Sequence, residues 1–476
     1  MANGAHTTAA ASWTPRSWVT RPGAEIVAYD DGAALERTVG KLASLPPLVT
    51  SGEIEKLRGL LAEAEAGKRL VLQGGDCAEA LDDCRPDKVT STLKVLLQMS
   101  LVLIHGAKKP VVRIGRMAGQ YAKPRSSAGE RRTVNGVEVT LPSYFGDLIN
   151  RAEFTPEARR PDPGLLLAGY QHAAITLNFV RALVDGGFAD LHHPEYWDLS
   201  FVRRGTLAAG LREEYERMTR TLADGLRFME AIGEGSIDQM TRADFFTSHE
   251  GLNLWYESAQ TRRVPRREGF YCLTAHMPWI GERTRAIGGA HVEFFRGVRN
   301  PVGVKLGPGA TPAEVVALSH ALNPANEAGK LVFITRLGAG AVRDLLPPLL
   351  RGVAAEGRRA LWLCDPMHAN GTVAGGRKTR SFDAIKTELE GALEAHREAG
   401  VSLGGVHLEL TGEDVTECLG GAHGVTPEDL GTNYGTACDP RLNYQQSLEI
   451  AFLLAHRLSG EAPGGPRGPA VARMTP

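Results

Sequence analysis

Four short segments, remote from one another in the chain, each carry one side chain suited to a divalent ion. They are GGDCAEA with Cys77, DPMHANG with His368, GVHLELTGED with Glu409, and YGTACDPRLNY with Asp439. A thiolate, an imidazole and two carboxylates suit Mn, Co, Fe or Zn. Each residue also has an ordinary reading: a small buried thiol, a hydrogen-bonded core imidazole, a cap for the next segment. Glu409 departs furthest from its ordinary reading, because a carboxylate inside an apolar run is costly unless it is paired or metal-bound. No compact HxxH or CxxC spacing joins the four, so the metal reading rests on their convergence.

Basic residues stand in similar places. RIGRMAGQYAKPRSS holds Arg113, Arg116, Lys123 and Arg125 among small residues, and WIGERTR holds Arg283 and Arg285. VGVKLGP and FITRLG place Lys305 and Arg336 in apolar runs. Internal ion pairs would explain any one of them. Several cations at strand ends, with only local acids, fit bound phosphate and carboxylate better.

The elements that must position these groups read as an α/β chain. Apolar runs recur at 69–73, 110–114, 244–248, 270–274, 301–306, 331–335, 360–364 and 404–410. Most are continuous rather than alternating, as strands covered on both faces require. Helical patterns fall between many of them, at 211–233, 311–322 and 381–400 among others. Eight strands separated by helices predict a (β/α)8 TIM barrel, with an open doubly wound sheet as the competitor. The barrel is favoured because Cys77, Arg116, His249, Glu250, His276, Lys305, Arg336, His368 and Glu409 all fall at or just past predicted strand C-termini, where barrel sites lie. The predicted organisation is a disordered 1–12, an N-terminal helical extension over 13–66, a catalytic barrel over 67–460 with helical insertions at about 120–240, and a disordered tail over 461–476.

A net charge of -1 over 476 residues argues against nucleic acid and anionic membrane as partners. Six cysteines in a chain this long do not make a disulfide scaffold. No signal-peptide pattern and no uninterrupted apolar run of spanning length is read, so a cytoplasmic location is expected.

Taken together, GGDCAEA, RIGRMAGQYAKPRSS, TSHEGLNLWYE, TAHMPWIGERTR, ITRLG, LWLCDPMHANG, HLELTGEDVTECLGG and YGTACDPRLNYQQSLE resemble the class II 3-deoxy-D-arabino-heptulosonate 7-phosphate (DAHP) synthases of plant and actinobacterial type. The resemblance runs from about residue 13 to 457. It implies condensation of phosphoenolpyruvate with D-erythrose 4-phosphate, with release of phosphate, as the first step of the shikimate pathway. It also implies one divalent metal, Mn or Co favoured, held by Cys77, His368, Glu409 and Asp439. Phosphoenolpyruvate would be held by Arg116, Glu282, Arg283, Lys305 and Arg336, and the erythrose 4-phosphate phosphate by Lys123, Arg125 and Ser126. Lys305 is expected as a proton donor or relay, and His276 or Glu282 to orient water. Cys438, next to Asp439, is expected near Cys77, where oxidation could join the two thiols. A homodimer or homotetramer is expected, with a chorismate mutase as a candidate partner. The same motifs would serve a secondary-metabolite enzyme acting on an imino or amino form of erythrose 4-phosphate, or a non-catalytic regulatory scaffold.

Overall fold

The computed structural model describes residues 13–125, 127–186, 210–220 and 244–459. The expected disordered ends (1–12 and 461–476), Ser126 and most of the predicted helix 211–233 lie outside the described residues.

Eight parallel strands form one sheet. In chain order they are β1 (Leu70–Gly75), β2 (Val111–Arg116), β3 (Phe245–Ser248), β4 (Trp279–Ile280), β5 (Val302–Leu306), β6 (Leu331–Thr335), β7 (Leu361–Cys364) and β8 (Gly405–Glu409). Each pairs with its sequence neighbours, and β8 returns to β1, with Gly75 opposite Glu409. The ring closes between β3 and β4 through a parallel bridge from Glu250 to Trp279, where the Trp279 N–H donates to the His249 carbonyl at 3.0 Å. This is a TIM barrel.

One strand differs from the sequence expectation. The run 270–274 does not enter the barrel: Tyr271–Cys272 pairs antiparallel with Thr261–Arg262. The fourth barrel strand is instead the two-residue Trp279–Ile280, which pairs with Gly303 and Val304 of β5.

Helices cover the outside. Pro312–Leu322, Val342–Ala355 and Phe382–Ala399 link β5 to β8 in turn. Pro312 stands in the first turn after the Thr311 cap, and Gly400 ends the last helix in a left-handed conformation. The helix Pro86–Ala107 is long and apolar enough to cross a membrane by composition. Here its Leu93, Leu96, Leu97 and Leu103 are buried in the main core, and it packs on the closing helix Tyr444–Ser459. Gly106 permits that approach, since a Cβ there would stand 2.3 Å from that of Ala455.

Inside the barrel, Val71, Val112, Ile114, Phe246, Val332, Ile334 and Leu363 form an apolar cluster. Leu57, Leu61 and Ala64 of the helix Ser51–Glu65 join it from below. That helix starts with a Thr50–Glu53 capping box. It closes the N-terminal mouth and leaves the C-terminal mouth for chemistry. The segment between β2 and β3 is long: it holds the hairpin Gly129–Val134/Val137–Pro142 and the helix Gly164–Asp185.

Candidate active site

Every barrel strand delivers at least one polar side chain to the C-terminal mouth. In order they are Cys77, Arg116, Glu250, Glu282 with Arg283, Lys305, Arg336, His368 and Glu409. At the end of β1, Gly75 has φ +143, and a Cβ there would meet the Arg116 carbonyl at 2.6 Å. Only glycine lets β1 and β2 approach so closely before the chain turns to Cys77. Glu79 then ties the two strand ends together by accepting the N–H groups of Ala118, Gly119 and Gln120 at 2.8–3.0 Å. Burial pushes the Glu79 carboxyl up to about 7, against the pull of those three donors.

Three of the four expected ligands come together. Cys77 Sγ, a Glu409 oxygen and an Asp439 oxygen lie within 4.8 Å of one another. His368 Nε2 approaches the same Glu409 carboxylate, 2.8 Å from Oε1. The opposite ring nitrogen of His368, Nδ1, is bound to Asp365 Oδ2 at 2.7 Å. This carboxylate–imidazole pair orients a metal-ligating histidine in many sites. Asp439 belongs to no strand; it is brought in by its loop. Its own N–H points at Cys77 Sγ at 3.1 Å, and Arg441 anchors the loop to Asp76 and Glu417. Burial opposes ionisation of Glu409, but His368, Lys123, Arg380 and Arg116 outweigh it and hold the carboxyl well below its usual range. The donor set and its burial fit a divalent transition ion.

Lys123 stands at the centre of this ring. Its Nζ lies 2.7 Å from Cys77 Sγ, 2.9 Å from Glu409 Oε1 and 2.6 Å from Asp439 Oδ2.

Beside the ring opens a cavity of about 260 Å³, lined by Lys123, Arg125, Glu250, Glu282, Arg283, Lys305, Arg336, His368, Lys378 and Asp439 among others. Lys305 pairs with Asp365 Oδ2 at 3.0 Å; burial nevertheless holds its ammonium below the usual lysine range. Arg336 donates to the His368 carbonyl at 2.7 Å and, among the described residues, has no carboxylate partner. Glu282 is already engaged: it pairs with Arg285 and accepts the Gly307 N–H at 2.6 Å. A cavity with this many cations and so few free acids suits phosphate and carboxylate groups.

A model of the Class-II DAHP synthetase family matches residues 13–455 of this sequence. The chain belongs to that family. It is 47% identical over 463 residues to the phospho-2-dehydro-3-deoxyheptonate aldolase of Neurospora crassa, covering 94% of each chain. The enzyme of that name from Streptomyces coelicolor is 46% identical over 440 residues, 92% of this chain and 96% of the relative. The one from Mycolicibacterium smegmatis is 46% identical over 449 residues, 93% and 94%.

Of the residues expected in the site, His276 lies elsewhere and Arg116 lies deeper in the mouth than expected. His276 is behind the barrel wall, where its Nδ1 accepts the Thr247 N–H at 2.9 Å and its Nε2 lies 3.9 Å from Glu53 of the helix that closes the opposite mouth. Arg116 lies beneath the ligand ring rather than on the cavity wall. It binds Glu409 Oε1 at 3.0 Å and the Asp76 and Cys77 carbonyls, and it stacks 5.2 Å from the Trp279 ring centroid.

Other residues reach the site without a sequence signal. Arg380, from the hairpin Gly371–Ala374/Arg377–Arg380, pairs with Glu409 Oε2 at 2.7 Å, and Lys378 of the same hairpin lines the cavity. Glu250 is marked in the sequence by its strand-end position alone. Its buried Oε1 has no partner among the described residues, and burial raises its carboxyl. A GGRKTRS segment looks like a polar loop, and nothing local betrays its contact with residue 409.

Proposed function

We propose that this chain catalyses the metal-dependent condensation of phosphoenolpyruvate with D-erythrose 4-phosphate to DAHP and phosphate. Family membership supports the condensation that opens the shikimate pathway. The observation that carries the finer reading is the direct junction of a Cys77/Glu409/Asp439 donor cluster, with His368 beside Glu409, and a cation-lined cavity that both His368 and Asp439 line.

A divalent ion held by Cys77, His368, Glu409 and Asp439 would supply Lewis acidity towards the aldehyde oxygen of the acceptor. The rest falls to the chain's own groups. Arg283, Lys305 and Arg336 take the phosphate and carboxylate of phosphoenolpyruvate and fix its enol face. Lys123 and Arg125 take the phosphate of the sugar from the far side, with Ser126 as their neighbour in sequence. The C3 carbon of phosphoenolpyruvate needs no deprotonation to attack the aldehyde. Lys305 Nζ, depressed by burial, is the proton donor to the new hydroxyl. Glu250, buried with one oxygen unpartnered, orients the water that adds at C2 before phosphate departs. Glu282 acts indirectly by holding Arg285 and the Gly307 backbone.

The test is a discontinuous assay of DAHP formation from the two substrates, run after exhaustive chelation and again after adding back Mn or Co. Product is expected with both substrates and added metal only. Turnover that survives complete demetallation would remove the metal from the reading. Absence of product under every metal would remove the substrates.

A further inference from the structure

The position of Lys123 is at odds with a purely substrate-binding role. Its ammonium contacts Cys77, Glu409 and Asp439 at 2.6–2.9 Å. Metal–ligand distances to such donors are about 2.0–2.3 Å. An ion within that distance of all three donors would occupy nearly the same space as Nζ, and the two cations would repel one another at close range. The ring can hold one or the other.

The ammonium also neutralises part of a buried anionic cluster. Arg116 and Arg380 reach Glu409 but are fixed by other bonds, to the Asp76 and Cys77 carbonyls and to the Pro440 carbonyl respectively. Lys123 differs in two ways. Its segment, between β2 and the hairpin beginning at Gly129, has no regular secondary structure among the described residues. Its side chain also lines the cavity, as does that of Arg125. A four-carbon stem with three rotatable donors can swing between two such positions.

We propose that Lys123 is a built-in competitor of the metal. Its ammonium balances the ligand ring until a divalent ion displaces it, and the displaced ammonium enters the cavity and completes the phosphate-binding cation set. Metal loading and anion affinity are thereby coupled. A phosphorylated substrate finds its full set of cations only in protein that already holds its metal. This inference rests on the metal reading above.

Cobalt(II) titration of the full chain tests it, followed by thiolate-to-cobalt absorption with free cobalt set by a competing chelator. Lys123→Met removes the competitor and is expected to bind cobalt about tenfold more tightly than wild type, a coupling of ordinary size. Inorganic phosphate, titrated calorimetrically, should bind wild type about fivefold or more tightly once cobalt is loaded, and Lys123→Met should show no such gain. Wild-type protein supplies an independent readout should the variant fold poorly. Brief acetylation of amines, read by peptide mass spectrometry, should label Lys123 faster in cobalt-loaded than in chelated protein. Equal cobalt affinities with a normal absorption band, or labelling that falls on loading, overturn the inference and leave the metal reading standing. Absence of the band in both proteins overturns both.

Discussion

His368 Nδ1 and Asp365 Oδ2 are 2.7 Å apart, and that bond fixes which face of the imidazole the site can use. Nδ1 is committed to the carboxylate, so Nε2 is turned to Glu409. Asp365 is fully buried, and burial opposes its charge. His368 and Lys305 outweigh that and hold the carboxyl well below its usual range. One aspartate therefore orients both the imidazole proposed as a ligand and the ammonium proposed for proton transfer.

Asp365→Asn should lower metal affinity by about 10–100-fold, the usual cost of losing the partner of a ligating histidine. It should also lower kcat at saturating metal, because Lys305 loses its counter-ion. Metal affinity by chelator competition, with kcat measured at saturation, separates the two effects. Unchanged affinity would mean that the Asp365 bond does not position His368.

His276 yields the opposite expectation. Its ring packs edge-on to Phe246 at 5.2 Å, with Glu53 of the N-terminal helix beyond it. His276→Phe keeps the shape and leaves the Thr247 N–H without an acceptor, which should cost about 1–3 kcal/mol of stability. The kcat should be little changed. Urea midpoints and steady-state kinetics on one preparation decide it. A large loss of kcat at unchanged stability would return His276 to the chemistry.

The misplacement of His276 has a physical origin. The run FYCLT is apolar and rich in strand formers, so it reads as a barrel strand with His276 just past its end. The true fourth strand is two residues long and follows Pro278, too short to show any period. Buried parallel strands are legible because both faces are covered and the run is continuous, as in LVFIT and VGVKL. Strand-end chemistry follows from them, which is why Cys77, Lys305, Arg336, His368 and Glu409 could be placed by type and position. Arg380 and the central position of Lys123 depend on loops folding back over the mouth, and no local pattern encodes that return.

Cys438 adds a redox prediction. A hydrogen bond to Cys77, aided by Lys123 and Arg125 against the effect of burial, lowers the Cys438 thiol to about 7, and Arg125 donates to its sulfur at 3.1 Å. A low-lying thiol beside a second thiol suits oxidation by hydrogen peroxide: one peroxide takes two thiols to a disulfide and leaves two waters. All six cysteines are free. Mild peroxide should remove two titratable thiols together with activity, and dithiothreitol should restore both. Cys438→Ser should lose activity much more slowly. Equal sensitivity of that variant would exclude the pair.

Glu388 sets a pH dependence away from the ligand ring. It lies on the helix Phe382–Ala399 and accepts the N–H groups of Leu337 and Gly338 at 2.7 and 2.8 Å and the Asn370 amide at 2.6 Å. It thus fastens the loop after β6, which carries Arg336, to the loop after β7, which carries His368. Burial raises its carboxyl from 4.5 to about 7 despite these donors. An acid whose folded value lies above its unfolded one binds a proton in the native state when the unfolded chain has lost it. Its contribution to stability therefore falls as pH rises from 4.5 towards 7, then levels. Glu388→Gln removes this dependence while keeping an acceptor for the backbone. Relative to wild type, the variant should gain on the order of 1–3 kcal/mol across that interval. Urea unfolding midpoints of the two proteins at closely spaced pH values give the difference directly. A difference that stays flat through the interval would mean that Glu388 is ionised throughout and that the backbone donors, not burial, set its charge.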